Sequence, residues 1–127
     1  MVDRIKSPNA PAPVGPYSQA SRAGGLVFAS GQLGLDPATG RLAEGLEAQM
    51  EQAMRNLGAV LEAAGSCWER VVKTTIYLTD MSRFAAVNAV YARYFGAEAG
   101  FPARATIGVA ALPTGALVEV EAVAWSG

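Results

Sequence analysis

Residues 46–64 carry the pattern that most restricts how this chain can fold. Apolar side chains recur there at steps of three and four residues, the spacing of one face of an α-helix; they are Leu46, Met50, Ala53, Met54, Leu57, Val60, Leu61 and Ala64. Charged and amide side chains occupy most of the other positions, and Gly65 follows as a helix C-cap would. Because such a helix must bury its apolar face, the rest of the chain has to supply a second layer.

Four other segments of the sequence predict strands for that layer. The run from Val71 to Thr79 is rich in β-branched residues, and a short apolar run extends from Leu26 to Ser30. An extended segment is expected from Phe101 to Ala111, and the last strand from Leu117 to Trp125. Pro, Asp and Gly are placed as turns require in residues 36–40 and 112–115.

A second helix is predicted after the strand that ends at Thr79. Asp80 and Ser82 are both suitable N-caps, and Gly96 marks the expected end. The apolar face of this helix consists of Phe84, Val87, Tyr91, Tyr94 and Phe95. Before the first strand, residues 7–16 hold four of the seven prolines, which predicts an ordered, extended loop ending at Tyr17; a flexible N-terminal arm is the alternative.

The order of these elements predicts an α+β fold. Two helices with about five or six strands suit a two-layer sandwich, in which a mixed sheet carries both helices on one face. The length of 127 residues suits a single domain spanning residues 1–127. The other sheet face then needs a cover, and charged residues are only 17% of the chain, so we expect copies of the chain to associate through it.

The composition excludes several kinds of chemistry. The chain has no histidine, and its one cysteine is Cys67, so a Ser-His-Asp triad, a Cys-His pair, an intrachain disulfide and an ordinary zinc site are not available within it. No basic cluster surrounds Cys67 in the sequence, which favours an inert thiol. Any catalysis must use carboxylates, Arg, Tyr, hydroxyls, backbone groups and water, without a metal or other cofactor.

The charge and hydropathy patterns indicate few macromolecular partners. The net charge is −1 and there is no basic run, which argues against binding to nucleic acid. No stretch approaches the roughly 18 apolar residues that span a bilayer, and the first residues lack an apolar signal core. A cytoplasmic location is therefore expected.

Three charged residues stand out as candidates for binding and catalysis. Arg104 begins a predicted strand just after Pro102, where its planar guanidinium could hold a carboxylate with two hydrogen bonds; the alternative is a pair with a surface acid. Glu119 and Glu121 lie two residues apart on the last strand and share one face. Either could position a water molecule, and the alternative is an ordinary solvated strand face.

Several polar residues could line the same site. Tyr17 ends the proline-rich loop, Ser30 and Gly31 end a strand, Asn88 lies within the second helix, and Thr106 shares a strand face with Arg104. Each also has an ordinary structural interpretation as a cap, a local hydrogen bond or strand packing. No dinucleotide fingerprint or phosphate-binding loop is present.

Six segments in this order resemble the RidA/YjgF family, also described as the endoribonuclease L-PSP family. They are Gly15-Pro16-Tyr17-Ser18-Gln19-Ala20, Ser30-Gly31-Gln32, Val72-Lys73-Thr74-Thr75, Val87-Asn88-Ala89-Val90-Tyr91, Phe101-Pro102-Ala103-Arg104 and Val118-Glu119-Val120-Glu121-Ala122-Val123-Ala124. The resemblance implies a chorismate-mutase-like α+β fold with a six-stranded sheet. It also implies a homotrimer with clefts between subunits.

The resemblance further implies hydrolysis of 2-imino acids and their enamine tautomers, such as 2-aminoacrylate, to 2-keto acids and ammonia without a cofactor. Arg104 matches the arginine that binds the substrate carboxylate, and Glu119 matches the acid that orients water. Tyr17, Ser30, Gly31 and Asn88 match residues of the binding pocket, with Tyr17 expected from the adjacent subunit. Many members carry Cys where this chain has Thr106, which argues against obligatory thiol chemistry.

Three alternative functions remain open from the sequence. The chain could be a specialised deaminase of another imine, for example an aminomuconate-type intermediate. It could bind 2-keto acids as a regulatory protein without turnover. It could also cleave RNA, although the lack of histidine and the near-zero charge weigh against that activity.

Overall fold

A computed structural model of the chain describes residues 1–96 and 98–127, and it confirms the α+β prediction. One six-stranded mixed sheet carries two helices. The strands are β1 (Asp3–Ile5), β2 (Ala20–Ala23), β3 (Leu26–Leu33), β4 (Val71–Leu78), β5 (Ala103–Gly108) and β6 (Val118–Trp125), and the helices are α1 (Leu46–Ala63) and α2 (Phe84–Ala92). The spatial order is β1-β2-β3-β6-β4-β5, with only β4 and β5 running parallel.

The predicted apolar face of α1 forms the centre of the core. Met50, Met54, Leu57 and Leu61 are fully buried, and they belong to one cluster with side chains of β4 and β6. Burying each such side chain contributes about 1.5–3 kcal/mol to folding. Since alternate residues of a strand point to opposite faces, this packing decides which residues of β4 and β6 face the helices: Thr74, Ile76, Leu78, Val118, Val120, Ala122 and Ala124.

The sheet begins with two strands that the sequence pattern did not predict. β1 and β2 pair antiparallel, and β2 pairs with β3. The proline-rich loop between them is tied down by one buried side chain, since the Gln19 amide accepts from Ser7 N at 2.5 Å and donates to Pro11 O at 2.8 Å. These bonds confirm the expectation of an ordered loop.

The second helix is shorter than the sequence indicated. Asp80 does act as a cap, but for a single 3₁₀ turn at residues 81–83, where its carboxylate accepts from Ser82 N at 3.1 Å. α2 then runs from Phe84 to Ala92 rather than to Gly96. Its end tightens because the backbone N–H groups of residues 93–95 bond to carbonyls three positions back instead of four.

The sheet face opposite the helices carries half-exposed apolar side chains. The pairing of β3 with β6 and of β4 with β5 places them on the same face as Glu119 and Glu121. They are Leu26 (38% exposed), Phe28 (49%), Ile107 (44%) and Trp125 (46%). We call this the open face of the sheet. Neither helix among the described residues has the length and hydropathy needed to cross a membrane.

Candidate functional site

Four of the predicted site residues line one cleft, which we call the Glu119 cleft. Tyr17, Ser30, Gly31 and Glu119 meet there around a volume of about 330 Å³. The proline-rich loop closes one side of this cleft, and the remaining lining residues include Pro11, Val14, Leu33 and Pro113. The phenol oxygen of Tyr17 accepts a hydrogen bond from Val14 N at 3.3 Å, which holds the ring within its own loop.

A β-bulge shapes the floor of the Glu119 cleft. The pairing of β3 with β6 shifts between Ala29 and Gln32, so Ser30 and Gly31 together oppose one residue, Glu121. Such a bulge bends a strand and re-aims its side chains. The Ser30 hydroxyl consequently turns away from the ladder and donates to Ser18 O at 2.7 Å, which ties the bulge to the loop that carries Tyr17.

Glu119 lies against the backbone of Gly31. A Cβ atom added at position 31 would be 2.7 Å from Glu119 Cδ and 2.9 Å from its Oε2, a distance at which the carboxylate would have to move. The absence of a side chain at Gly31 therefore lets the carboxylate pack down onto the bulge. Burial first, and then the negative charge of Glu121, raise the pKa of the Glu119 carboxyl above its usual value.

The guanidinium of Arg104 lies in a second cleft of about 420 Å³, which we call the Arg104 cleft. Its other lining residues are Asn88, Tyr91, Ala92, Phe101 and Pro102. The guanidinium carbon is 5.0 Å from the centre of the Tyr91 ring and 5.4 Å from that of Phe84, so two aromatic faces of α2 orient it. Among the described residues Arg104 has no ion pair.

Two buried polar atoms accompany Arg104 on the helix side of the sheet. Asn88 Oδ1 and Thr106 Oγ1 are both buried and make no hydrogen bond within the described residues. Thr106 pairs with Ile76, and Arg104 pairs with Thr74, so both side chains point toward the helices as the spacing of two predicted. Buried polar groups normally have partners, and orphans of this kind are common where a ligand binds.

Arg104 and Glu119 point to opposite faces of the sheet. Glu119 pairs with Tyr77, which pairs with Ile107, and this row faces away from the helices. Arg104 pairs with Thr74 in a row that faces the helices. One chain therefore holds two separate half-sites, with the carboxylate in one and the guanidinium in the other.

The predicted residues thus divide between the two clefts. Tyr17, Ser30 and Gly31 share a cleft with Glu119 of the same chain, whereas Asn88 and Thr106 lie on the side of Arg104. Tyr17 therefore lies in the Glu119 cleft and not in the Arg104 cleft, and that it reaches the site from an adjacent subunit stays a prediction. Cys67 is exposed and lies in neither cleft.

Sequence reasoning missed three residues at these clefts. Tyr77 donates a short hydrogen bond to Glu121 on the open face, and Phe84 and Tyr91 hold the Arg104 guanidinium. Alternation along β4 places Tyr77 on the face opposite Ile76. That it reaches Glu121 depends on the register between β4 and β6, which the sequence of one strand does not reveal. Over residues 1–96 and 98–127, no group of three or more Cys, Asp or Glu side chains is arranged to hold a metal ion.

Comparisons with known proteins identify the family of this chain and agree with its fold. The sequence profile described as Endoribonuclease L-PSP, the RidA/YjgF family, matches residues 7–126. The chain belongs to this family. It is 48% identical over 124 residues to mouse 2-iminobutanoate/2-iminopropanoate deaminase, covering 97% of this chain and 90% of that protein.

Two further relatives extend the likeness. A RutC family protein of Aquifex aeolicus is 50% identical over 120 residues, covering 94% of this chain and 96% of the other. The crystal structure of RidA from an Antarctic Psychrobacter superimposes with a TM-score of 0.93 at 46% identity, covering 97% of this chain and 98% of that one. Mouse, goat and cattle relatives at 48% identity are named as deaminases, which supports an imine deaminase role, whereas other relatives carry only the RutC family name.

Proposed function

We propose that this chain hydrolyses 2-imino acids and their enamine tautomers to 2-keto acids and ammonia, at sites formed between copies of the chain. The mouse relative carries the name of this activity. The observation that carries the proposal is the division of the site, because an aromatic-held guanidinium without an ion pair and a half-buried carboxylate lie on opposite faces of one protomer. A neighbouring copy can bring the two together where a single chain cannot.

The Arg104 cleft supplies the features that binding of a small carboxylate requires. A guanidinium can hold a carboxylate with two parallel hydrogen bonds, and the rings of Phe84 and Tyr91 limit its movement. Asn88 lines the same cleft, and its Oδ1 atom has no hydrogen-bond partner among the described residues. Fixing the carboxylate in this way orients the neighbouring imine carbon toward the opposite wall of the site.

The Glu119 cleft supplies the group that accepts and donates protons in the reaction. An imine carbon is already electrophilic, so water can attack it without a metal or a strong nucleophile. Glu119 orients that water and accepts its proton. Because its pKa is raised, the carboxylate is a stronger base than an ordinary glutamate. The proton from water passes to the imine nitrogen, which gives a carbinolamine with the water oxygen bonded to carbon as a hydroxyl. The hydroxyl proton then also moves to nitrogen as the C–N bond breaks, so ammonia leaves and the oxygen becomes the keto group. An enamine first gains a proton on carbon to become the imine.

A homotrimer is the assembly we propose for these sites. The open face presents half-exposed Leu26, Phe28, Ile107 and Trp125, which a soluble monomer would leave in water. In a ring of three copies each interface is the same, so the Arg104 cleft of one protomer meets the Glu119 cleft of the next three times. Light scattering measures the number of copies in the assembly directly. The cytoplasmic location expected from the sequence stays a prediction.

Mixing two inactive variants tests the shared site. Arg104→Ala and Glu119→Gln are each expected to lose about 100-fold or more in rate against 2-aminoacrylate generated by a serine or threonine dehydratase. When the two variants are co-expressed, every mixed trimer contains one interface with both native residues. Random assembly should therefore recover about a quarter of the wild-type rate.

The outcomes of this experiment separate the alternatives. Arg41→Ala, which removes a guanidinium from an exposed turn, is the matched control and should retain activity. No recovery in the mixture would place both residues in one protomer's site and contradict the proposed geometry. Binding of a 2-keto acid without turnover by wild type would indicate a regulatory protein, and turnover of only larger imines would indicate a specialised deaminase. Cleavage of RNA under the same conditions would support the activity in the family description.

A further inference from the structure

The Tyr77 phenol and the Glu121 carboxylate form a hydrogen-bonded pair beside Glu119. Tyr77 lies on β4 directly opposite Glu119, but its hydroxyl reaches diagonally across the strands and donates to Glu121 Oε1. The residue opposite Glu121 is Thr75, whose side chain is too short for the same reach. Neither Tyr77 nor Glu121 has a part in the reaction described so far.

The carboxylates of Glu119 and Glu121 turn toward the strands on opposite sides of β6. Glu119 turns toward β3 and packs on Gly31, whereas Glu121 turns toward β4 and accepts from Tyr77. They nonetheless share one strand face two residues apart, a separation of about 7 Å along the strand. The Tyr77 hydrogen bond thus keeps a negative charge in a fixed place next to Glu119.

The other groups that face Glu119 leave this charge uncompensated within the chain. The bulge of β3 contributes only Gly31 backbone, and the proline-rich loop contributes the neutral phenol of Tyr17. β4 contributes Tyr77, which pairs with Glu119, and Lys73, which pairs with Val123 four residues further along β6. β5 contributes the apolar Ile107, which pairs with Tyr77. Among the described residues neither Lys73 nor any arginine forms an ion pair with Glu119 or Glu121.

We propose that Glu121, oriented by the Tyr77 phenol, is a positioning residue that sets how readily Glu119 takes up and releases a proton. This inference rests on the proposed function, since it assigns a role to Glu121 in the work of Glu119. The charge of Glu121 adds to burial in raising the pKa of Glu119. In return, the hydrogen bond to Glu121 is the main cause that raises the pKa of Tyr77 to about 12, so the phenol stays a donor through the neutral range.

A titration of the Glu119 carboxyl by ¹³C NMR tests this role without any turnover. Glu121→Gln removes the charge but keeps an amide oxygen that can accept from Tyr77, so the local geometry is retained. The pKa of Glu119 should fall, because the neighbouring negative charge that disfavours its ionised form is gone. Glu119→Gln identifies the resonance, and Glu62→Gln, which removes an exposed charge on α1, is the control that should cause no shift.

Tyr77→Phe provides a second, independent variant. It frees the Glu121 carboxylate to turn into water, away from Glu119. The pKa of Glu119 should fall in the same direction as in Glu121→Gln but by less. If Tyr77 and Glu121 only stabilise the sheet, both substitutions will lower the melting temperature and leave the Glu119 titration where it is in wild type, which overturns the inference.

The dependence of deamination on pH connects the titration to the reaction. If ionised Glu119 is the form that accepts a proton from water, the acid limb of kcat/KM should move down by the same amount as the NMR titration in Glu121→Gln. At a given acidic pH, Glu121→Gln should therefore retain a larger fraction of its plateau activity than wild type does. An NMR shift in a protein that deaminates no imine would support the role of Glu121 while contradicting the proposed function, so the two failures are distinguishable.

Discussion

The carboxylate of Glu119 packs on the backbone of Gly31 so closely that a Cβ atom at position 31 would lie 2.7 Å from its carboxyl carbon. This contact joins the bulge of β3 to the candidate catalytic acid on β6. A side chain at position 31 would therefore displace the carboxylate on grounds of space, since the backbone there is not in the left-handed region and does not itself require glycine.

Gly31→Ala should therefore displace Glu119 and reduce deamination at least tenfold. The atoms that the added methyl group would meet belong to the Glu119 side chain, which can turn into the cleft, so folding stability should change little while the carboxylate moves. Gly96→Ala is the matched control, because a Cβ there meets no atom within 4 Å. Urea unfolding and the dehydratase-coupled assay measure the two effects; unchanged activity in Gly31→Ala would show that the position of Glu119 tolerates this shift.

The Tyr77–Glu121 hydrogen bond should stabilise the fold up to alkaline pH. Because the folded-state pKa of Tyr77 is raised to about 12 from its ordinary value of 10.0, the stabilisation is complete below pH 10 and is lost as the pH rises through 12. Near neutral pH, Tyr77→Phe should lower the free energy of unfolding by roughly 1 kcal/mol.

The pH dependence of that difference provides the test. Urea unfolding of wild type and Tyr77→Phe at one protein concentration should give a constant difference up to about pH 10 and a shrinking one above it. Tyr94, whose pKa is also raised to about 12 by burial and by Glu51, is present in both proteins and cancels in the comparison. A difference that grows with pH would contradict the assignment.

Asn56 is expected to be the most costly polar side chain of α1 to remove. It is 1% exposed, and its amide donates to Leu33 O at 3.0 Å and to Leu35 O at 2.8 Å, just beyond the bulge. Asn56→Ala leaves both carbonyls buried without these donors, so the free energy of unfolding should fall by about 2 kcal/mol or more.

Gln52→Ala serves as the comparison for Asn56→Ala. Gln52 only donates to Asn56 Oδ1 from a half-buried position, at 2.8 Å, so its removal should cost less than half as much. Chemical unfolding of both variants measures the difference. Equal losses of unfolding free energy would mean that the Asn56 hydrogen bonds to Leu33 O and Leu35 O contribute little beyond the bond between Gln52 and Asn56.

The parts of the fold that follow from local periodicity were predictable. α1 extends over Leu46–Ala63, and β4 and β6 match their predicted ranges to within one residue at each end. β1 and β2 were not predicted, because Asp3-Arg4-Ile5 and Ala20-Ser21-Arg22-Ala23 are short, carry little β-branched character and become strands only by pairing with each other and with β3. Such pairing is a long-range property that local pattern does not contain.

The site was predictable as a set of residue types and not as an arrangement. Alternation along β6 correctly placed Glu119 and Glu121 on one face, and the spacing of Arg104 and Thr106 placed those two together. That these pairs occupy opposite faces depends on how β4 joins β5 to β6, which is a matter of register. The close packing of Glu119 on Gly31 likewise needs the bulge, and no local signal in Ser30-Gly31 reveals it.

The extra residue at Ser30 and Gly31 gives β3 a bulge that its pairing with β6 does not itself require. Deleting either residue would leave one residue opposite Glu121 and restore regular pairing, so Phe28 would stay on the open face and Ala29 would stay buried. The backbone on which Glu119 packs would change, however, because it belongs to the bulge. A protein shortened by one residue here should therefore remain folded and lose the shape of the Glu119 cleft.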